Sequence, residues 1–137
     1  LELSRDEKNS KIKAFENPLT QSQLNKARAT VRDVRMSEQV EEYLVQIILA
    51  TRNSDKYGGN LSDWLEFGAS PRATIALDIC SKSLAWLDNR NFVTPDDIRS
   101  IAHDVLRHRL ILSFEAEANG ISSDQVVDEL LKVVPSA

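Results

Sequence analysis

Between Ser70 and Asp88 the chain reads Ser-Pro-Arg-Ala-Thr-Ile-Ala-Leu-Asp-Ile-Cys-Ser-Lys-Ser-Leu-Ala-Trp-Leu-Asp, and this segment limits the available folds more than any other. Serine followed by proline is a helix start. The serine can cap, and the fixed φ of proline suits the first turn, where its missing N–H is no loss. Ala73, Leu77, Cys80, Leu84 and Leu87 then fall on one face at helical spacing, and Ile75, Ala76, Ile79, Ala85 and Trp86 fill most of the remainder. A helix apolar nearly all round predicts a central element, running to about Asp88, that other helices must cover.

The rest of the chain supplies the cover. Thr20 with Gln23 three residues on has the form of a capping box and predicts a helix near 21–33 carrying Leu24, Ala27 and Val31 on one face. Ser37 opens a second helix with Val40, Leu44, Ile47 and Thr51 in register, ending near Asn53. Residues 54–63, with Gly58-Gly59, read as a loop. Trp64–Phe67 reads as a short strand or helical turn, and Leu110–Leu112 as an apolar piece able to pair with Leu65–Phe67. Thr94-Pro95-Asp96-Asp97 supplies a cap, a first-turn proline and two acids at a positive helix end. It predicts a helix through Ile98, Ile101, Ala102 and Val105 to Arg107–Arg109. A helical turn over Phe114–Asn119 is stopped by Asn119-Gly120, and Ser122 or Ser123 starts a last helix with Val126, Val127, Leu130 and Leu131 inward, ending before Pro135. The predicted fold class is all-α, a small helical bundle that can accommodate a minor two-stranded β element. Residues 1–17 read as a linker closed by Asn17-Pro18, and residues 18–137 as the domain.

Composition narrows the function classes. A chain of 137 residues suits one domain, which buries roughly two thirds of its unfolded surface and needs no disulfide or metal to fold. The net charge of −4 argues against a dedicated nucleic-acid binder. The single cysteine, Cys80, lies in an apolar helical run and reads as a small hydrophobe in a reduced, cytoplasmic protein. No apolar run approaches the roughly 18 residues of a membrane span.

The segment Gly68-Ala69-Ser70-Pro71-Arg72-Ala73 places an arginine in the first turn of a helix. An exposed cation there opposes the helix macrodipole at a cost of about 0.3–1 kcal/mol. The sign reverses if an anion binds, because free backbone N–H groups and a guanidinium then converge on it, with small residues at 68 and 69 leaving the approach open. On these residues alone, a solvated arginine on an ordinary capped helix is the simpler reading. Arg107-His108-Arg109 is a basic cluster at a helix end, where cations suit the dipole. His103 and His108, five apart, lie on different helix faces and do not make a metal site. Trp64, Phe67, Trp86 and Phe92 read as core or subdomain-interface aromatics and not as a base-stacking set, and Asp96-Asp97 as capping acids and not as a catalytic pair.

The segment Gly68–Ala73 resembles the sensor-2 motif of MoxR-type AAA+ ATPases. Phe92-Val-Thr-Pro-Asp-Asp-Ile98, Val105-Leu-Arg-His-Arg-Leu-Ile-Leu112, Glu115-Ala-Glu117 and Thr51-Arg52 are similar to further segments of that family, in its order and spacing, over roughly residues 18–135. The resemblance implies an AAA+ lid in which Arg72 reaches the γ-phosphate of ATP on a large domain. It places Gly68, Ala69, Ser70 and Pro71 near the nucleotide and gives Arg107, His108 and Arg109 an interdomain or intersubunit role. It further implies ATP and Mg2+ in the full-length protein, a homo-oligomeric, hexameric ring, chaperone-like assembly work and partners with a von Willebrand factor A domain. It implies neither membrane nor nucleic-acid partners.

The chain has no Gly-x-x-x-x-Gly-Lys-Ser/Thr phosphate loop and no acidic strand end of the Walker B type. The expectation is therefore a lid without its large domain, a piece of a longer protein, that neither hydrolyses ATP nor holds it tightly. Two alternatives stand beside this. One is a free-standing helical interaction domain. The other is a histone-like or helix-turn-helix DNA-binding module, which Val93–Asp97 would suit and the acidic charge opposes.

Overall fold

A computed structural model describes residues 17–136. In chain order the elements are α1 (Gln21–Arg32), α2 (Glu38–Arg52), a 3-10 turn (Ser54–Lys56), α3 (Leu61–Trp64), β1 (Leu65–Phe67), α4 (Arg72–Leu87), α5 (Pro95–Leu106), β2 (Ile111–Leu112), α6 (Phe114–Ala118) and α7 (Ser123–Val133). The linker expected over 1–17 falls, but for Asn17, outside the described residues.

The helix starts follow the sequence signals closely. Thr20 and Gln23 form a complete capping box, the Gln23 N–H donating to the Thr20 hydroxyl at 3.1 Å and the Thr20 N–H to the Gln23 side chain at 2.8 Å. Ser122 and Gln125 repeat the arrangement at α7. The two short strands pair antiparallel, Leu65 opposite Leu112 and Phe67 opposite Ile111. Ile47, Leu61, Leu77, Ile98, Leu106, Val126 and Leu130 are fully buried, so the core is assembled from α2, α3, α4, α5 and α7. No helix among the described residues is long and apolar enough to cross a membrane.

Two expectations need correction. The segment 54–63 is not simply a loop: it contains the 3-10 turn and the start of α3, whose Leu61 is wholly buried. Second, α4 is not covered all round. Its buried stripe is Ala73, Leu77, Ser81 and Ala85, repeating every four residues, whereas Ile75, Ile79 and Leu87 are 60%, 54% and 67% exposed. The cause is α1, which lies against α4 without burying any residue of its own. A short, polar amphipathic helix cannot roof the wide apolar face, and an apolar groove lined by Leu24, Val31, Ile79, Trp86 and Leu87 stays open between the two. Of the aromatics read as core or subdomain-interface residues, two lie largely outside the core. Phe67 and Phe92 are 61% and 52% exposed, while Trp64 and Trp86 are half-buried.

The acids at the start of α5 do more than answer the helix dipole. Asp97 is 4% exposed and accepts both guanidinium nitrogens of Arg90, at 2.6 and 2.7 Å, together with the Thr94 N–H at 2.7 Å and the Thr94 hydroxyl at 2.9 Å. Burial pushes the Asp97 carboxyl up. The Arg90 fork and the Thr94 donors outweigh it and hold the group below the usual carboxylate range. Arg90, which the sequence placed merely in a turn, thereby fixes the α4–α5 corner, with Asp88 3.0 Å away as its second partner.

Candidate functional site

The loop Gly68–Pro71 runs from β1 into α4, and α2 holds it from beneath. The Thr51 hydroxyl, in the last turn of α2, donates to the Ile48 carbonyl at 2.7 Å and accepts the Ala69 N–H at 3.0 Å. The next residue, Arg52, directs its guanidinium toward the Ala69 carbonyl at 3.5 Å. Both backbone polar groups of Ala69, in two successive peptide units, are thus engaged by two consecutive residues of α2, and the Ala69 side chain is fully buried. Gly68 lies so close that a Cβ there would sit 2.1 Å from the Thr51 carbonyl oxygen. The sequence suggested that small residues at 68 and 69 clear an approach for a ligand; the structure uses them for packing against α2. Gly68→Ala is accordingly expected to destabilise the domain by about 1–3 kcal/mol, the usual cost of overpacking. That corresponds to a fall of roughly 3–10 °C in thermal midpoint, readable by circular dichroism; an unchanged midpoint would contradict the close approach.

The start of α4 differs in detail from the expectation. The helix begins at Arg72, with Pro71 already in helical conformation and no side chain capping it. Ser70 takes part through its carbonyl, which accepts the Ala73 N–H at 2.8 Å, and the Pro71 carbonyl accepts the Thr74 N–H at 3.1 Å. The proline, having no N–H and a helical φ, tightens the first turn into short-range bonds that occupy donors otherwise free. The helix tip is therefore less bare than its sequence implied. Capacity to hold an anion falls mainly on the guanidinium. Arg72 is exposed, and its side chain has no hydrogen-bond or ion-pair partner among the described residues.

The second cluster lies close by in the topology. Phe67 is paired with Ile111, so Arg72 is five residues from one side of that pair and Arg109 two from the other. The members of the cluster are unequally free. Arg107 pairs with Asp104 at 2.9 Å and with Asp124 at the start of α7 at 2.8 Å. The Asp124 carboxylate raises the Arg107 guanidinium and is itself held below the usual carboxylate range by it. Arg109 donates to the Val105 carbonyl at 2.9 Å and so closes the C-terminal end of α5. His108 is exposed and has no side-chain partner among the described residues. The other histidine, His103, faces Asp128 at 2.9 Å. Around these residues the surface is apolar: Phe67, Ile111 and Phe114 are 61%, 57% and 87% exposed. A periodicity argument could not flag them, since strand and turn residues of this kind are expected to face a core.

This architecture, with an exposed arginine at the head of α4 and a neighbouring basic and apolar edge, matches known proteins. The AAA lid domain family matches residues 62–130. The chaperone MoxR1 of Mycobacterium tuberculosis is 39% identical over 94 residues, which cover 68% of this chain and 25% of MoxR1. The protein YeaC of Bacillus subtilis is 32% identical over 132 residues, 96% of this chain and 39% of YeaC. A crystal structure of a Cytophaga hutchinsonii protein proposed to be an ATPase superposes with a TM-score of 0.85 at 33% identity, covering 99% of this chain and 42% of that one. The chain belongs to the AAA lid domain family, and the relatives it matches include MoxR proteins. It spans between a quarter and about two fifths of the length of these relatives.

Proposed function

We propose that Arg72 acts as the sensor-2 arginine of the full-length protein. In this role it extends from the lid to the γ-phosphate of ATP on the large domain, stabilises charge there during hydrolysis and couples nucleotide state to movement of the lid. The observation that carries the reading is the state of this one side chain: an exposed guanidinium, without a partner among the described residues, at the N-terminal end of a helix whose approach loop is pinned to α2. An exposed cation in the first turn is mildly unfavourable unless it meets an anion, which the triphosphate would supply. The nucleotide with its Mg2+ would supply the phosphoryl group. This chain would supply a positive charge that contacts and orients the terminal phosphate.

On the same reading, the edge formed by Phe67, Ile111, Phe114 and His108 meets the large domain or a neighbouring subunit, with Arg107 and Arg109 bracing it from within the lid. The full-length protein would work in the cytoplasm as a homo-oligomeric, hexameric ring, as a chaperone-like assembly ATPase with partners carrying a von Willebrand factor A domain. The test is ATP turnover of the full-length protein carrying Arg72→Ala. Turnover should fall strongly while the lid remains folded, and unchanged turnover would remove the role.

A further inference from the structure

The head of α4, where Arg72 stands, is not fixed by a cap of its own: no side chain caps the helix, and the first turn is closed by carbonyls of the loop itself. The fixed reference is α2. Thr51 is one of three buried polar or charged residues of the described chain, 2% exposed, and its hydroxyl has both its functions occupied: it donates within its own helix and accepts across to Ala69. The Arg52 guanidinium donates to the carbonyl of the same residue, in the next peptide unit, and Gly68 admits the Thr51 carbonyl at a distance no Cβ would allow. Two residues, Ser70 and Pro71, separate Ala69 from Arg72, and the φ of Pro71 is fixed. A displacement at Ala69 is therefore transmitted to the head of α4 with little slack to absorb it.

We propose that Thr51, with Arg52 beside it, is a positioning residue for Arg72: the C-terminal end of α2 sets where the phosphate-directed guanidinium stands, and Thr51 itself touches no substrate. The inference rests on the phosphate role of Arg72. Thr51→Val keeps the shape of the side chain and removes the hydroxyl, leaving the Ala69 N–H buried and unpaired; Thr51→Ser keeps the hydroxyl. A shift of the charged group by a fraction of an ångström to about 1 Å suffices to lower turnover by roughly 10-fold to 100-fold.

The experiment uses the full-length protein in four forms, Thr51→Val, Thr51→Ser, Arg72→Ala and the Thr51→Val/Arg72→Ala double variant, with two readouts. Amide hydrogen exchange over residues 68–73 should accelerate in Thr51→Val and remain near wild type in Thr51→Ser. The kcat for ATP should fall by at least about tenfold in Thr51→Val, recover in Thr51→Ser, and fall no further than about twofold below Arg72→Ala in the double variant, because two changes acting through one group are not additive. Unchanged exchange in Thr51→Val overturns the clamp. A loss of kcat as large in the Arg72→Ala background as in wild type overturns positioning through Arg72, leaving a stability effect alone. Wild-type turnover in Arg72→Ala overturns the phosphate role and the inference with it, and accelerated exchange in that case locates the failure in the role and not in the clamp.

Discussion

Asp97→Ala is expected to cost the domain about 3 kcal/mol, near the lower edge of the range for breaking a buried ion pair, because Arg90 retains some contact with water. The substitution removes a carboxylate that satisfies both nitrogens of the Arg90 fork and the Thr94 N–H, so a guanidinium and a helix-start amide lose their acceptor together. A domain of this size should then melt roughly 10 °C lower. The contribution has a defined pH window. The Asp97 carboxyl is held below its ordinary value in the folded state, so its stabilisation is present above the unfolded value of about 3.9 and is lost as pH falls through the lower folded value. The stability gap between wild type and Asp97→Asn, measured by urea unfolding, should be constant above about pH 5 and shrink below about pH 4. A gap that persists unchanged into acid would show that the pair is not the source.

The largest effect on activity is expected at Arg72. Removing one preorganised charged donor from a site of phosphoryl or oxyanion stabilisation typically lowers kcat by about 100-fold to 1,000-fold. Arg72→Ala should approach that loss in ATP turnover of the full-length protein. Its effect on folding should be small, because the side chain is exposed and makes no contact that the fold depends on. The circular dichroism spectrum and melting curve of the variant lid should therefore overlie those of the wild type. Lysine should restore little, since a compact ammonium cannot reproduce the reach or the planar fork of a guanidinium.

The contrast between these two positions explains which parts of the molecule could be read from the sequence. Helix starts were legible because they depend on interactions within four residues: Thr20 with Gln23, Ser37 with Val40 and Ser122 with Gln125 each form as their spacing implies. The pairing of Leu65–Phe67 with Ile111–Leu112 was legible as an option, since only two short apolar pieces were candidates for it. The exposure of Ile75, Ile79 and Leu87 was not, because apolar patterning reports what a face would prefer to meet and not whether this chain supplies it.

At the candidate site the same division holds. The motif around Arg72 was recognised from its residues, and the arginine is indeed exposed. Thr51 was placed on the inward face of a helix, and Thr51-Arg52 was noted as similar to a family segment, but neither reading showed that its hydroxyl, 18 residues from Ala69 in sequence, fastens the loop. Gly68 was credited with leaving room for a ligand when its missing Cβ instead leaves room for α2. Arg90 lay in an unremarkable turn, and only the folded corner shows that its partner Asp97 is buried. Contacts between residues distant in sequence leave no periodic trace, and these are the contacts that hold the loop before α4.

Affinity for nucleotides with and without a third phosphate tests the central claim most directly. In the full-length protein, dissociation constants for a non-hydrolysable ATP analogue and for ADP should be measured by calorimetry, in wild type and in Arg72→Ala. A lost charge-assisted contact is worth about 1.5–3 kcal/mol, so the analogue should bind about 10-fold to 100-fold more weakly in the variant while ADP changes by less than about twofold. Equal weakening of both nucleotides, or no change in either, would contradict the account: the guanidinium would then not be reading the terminal phosphate.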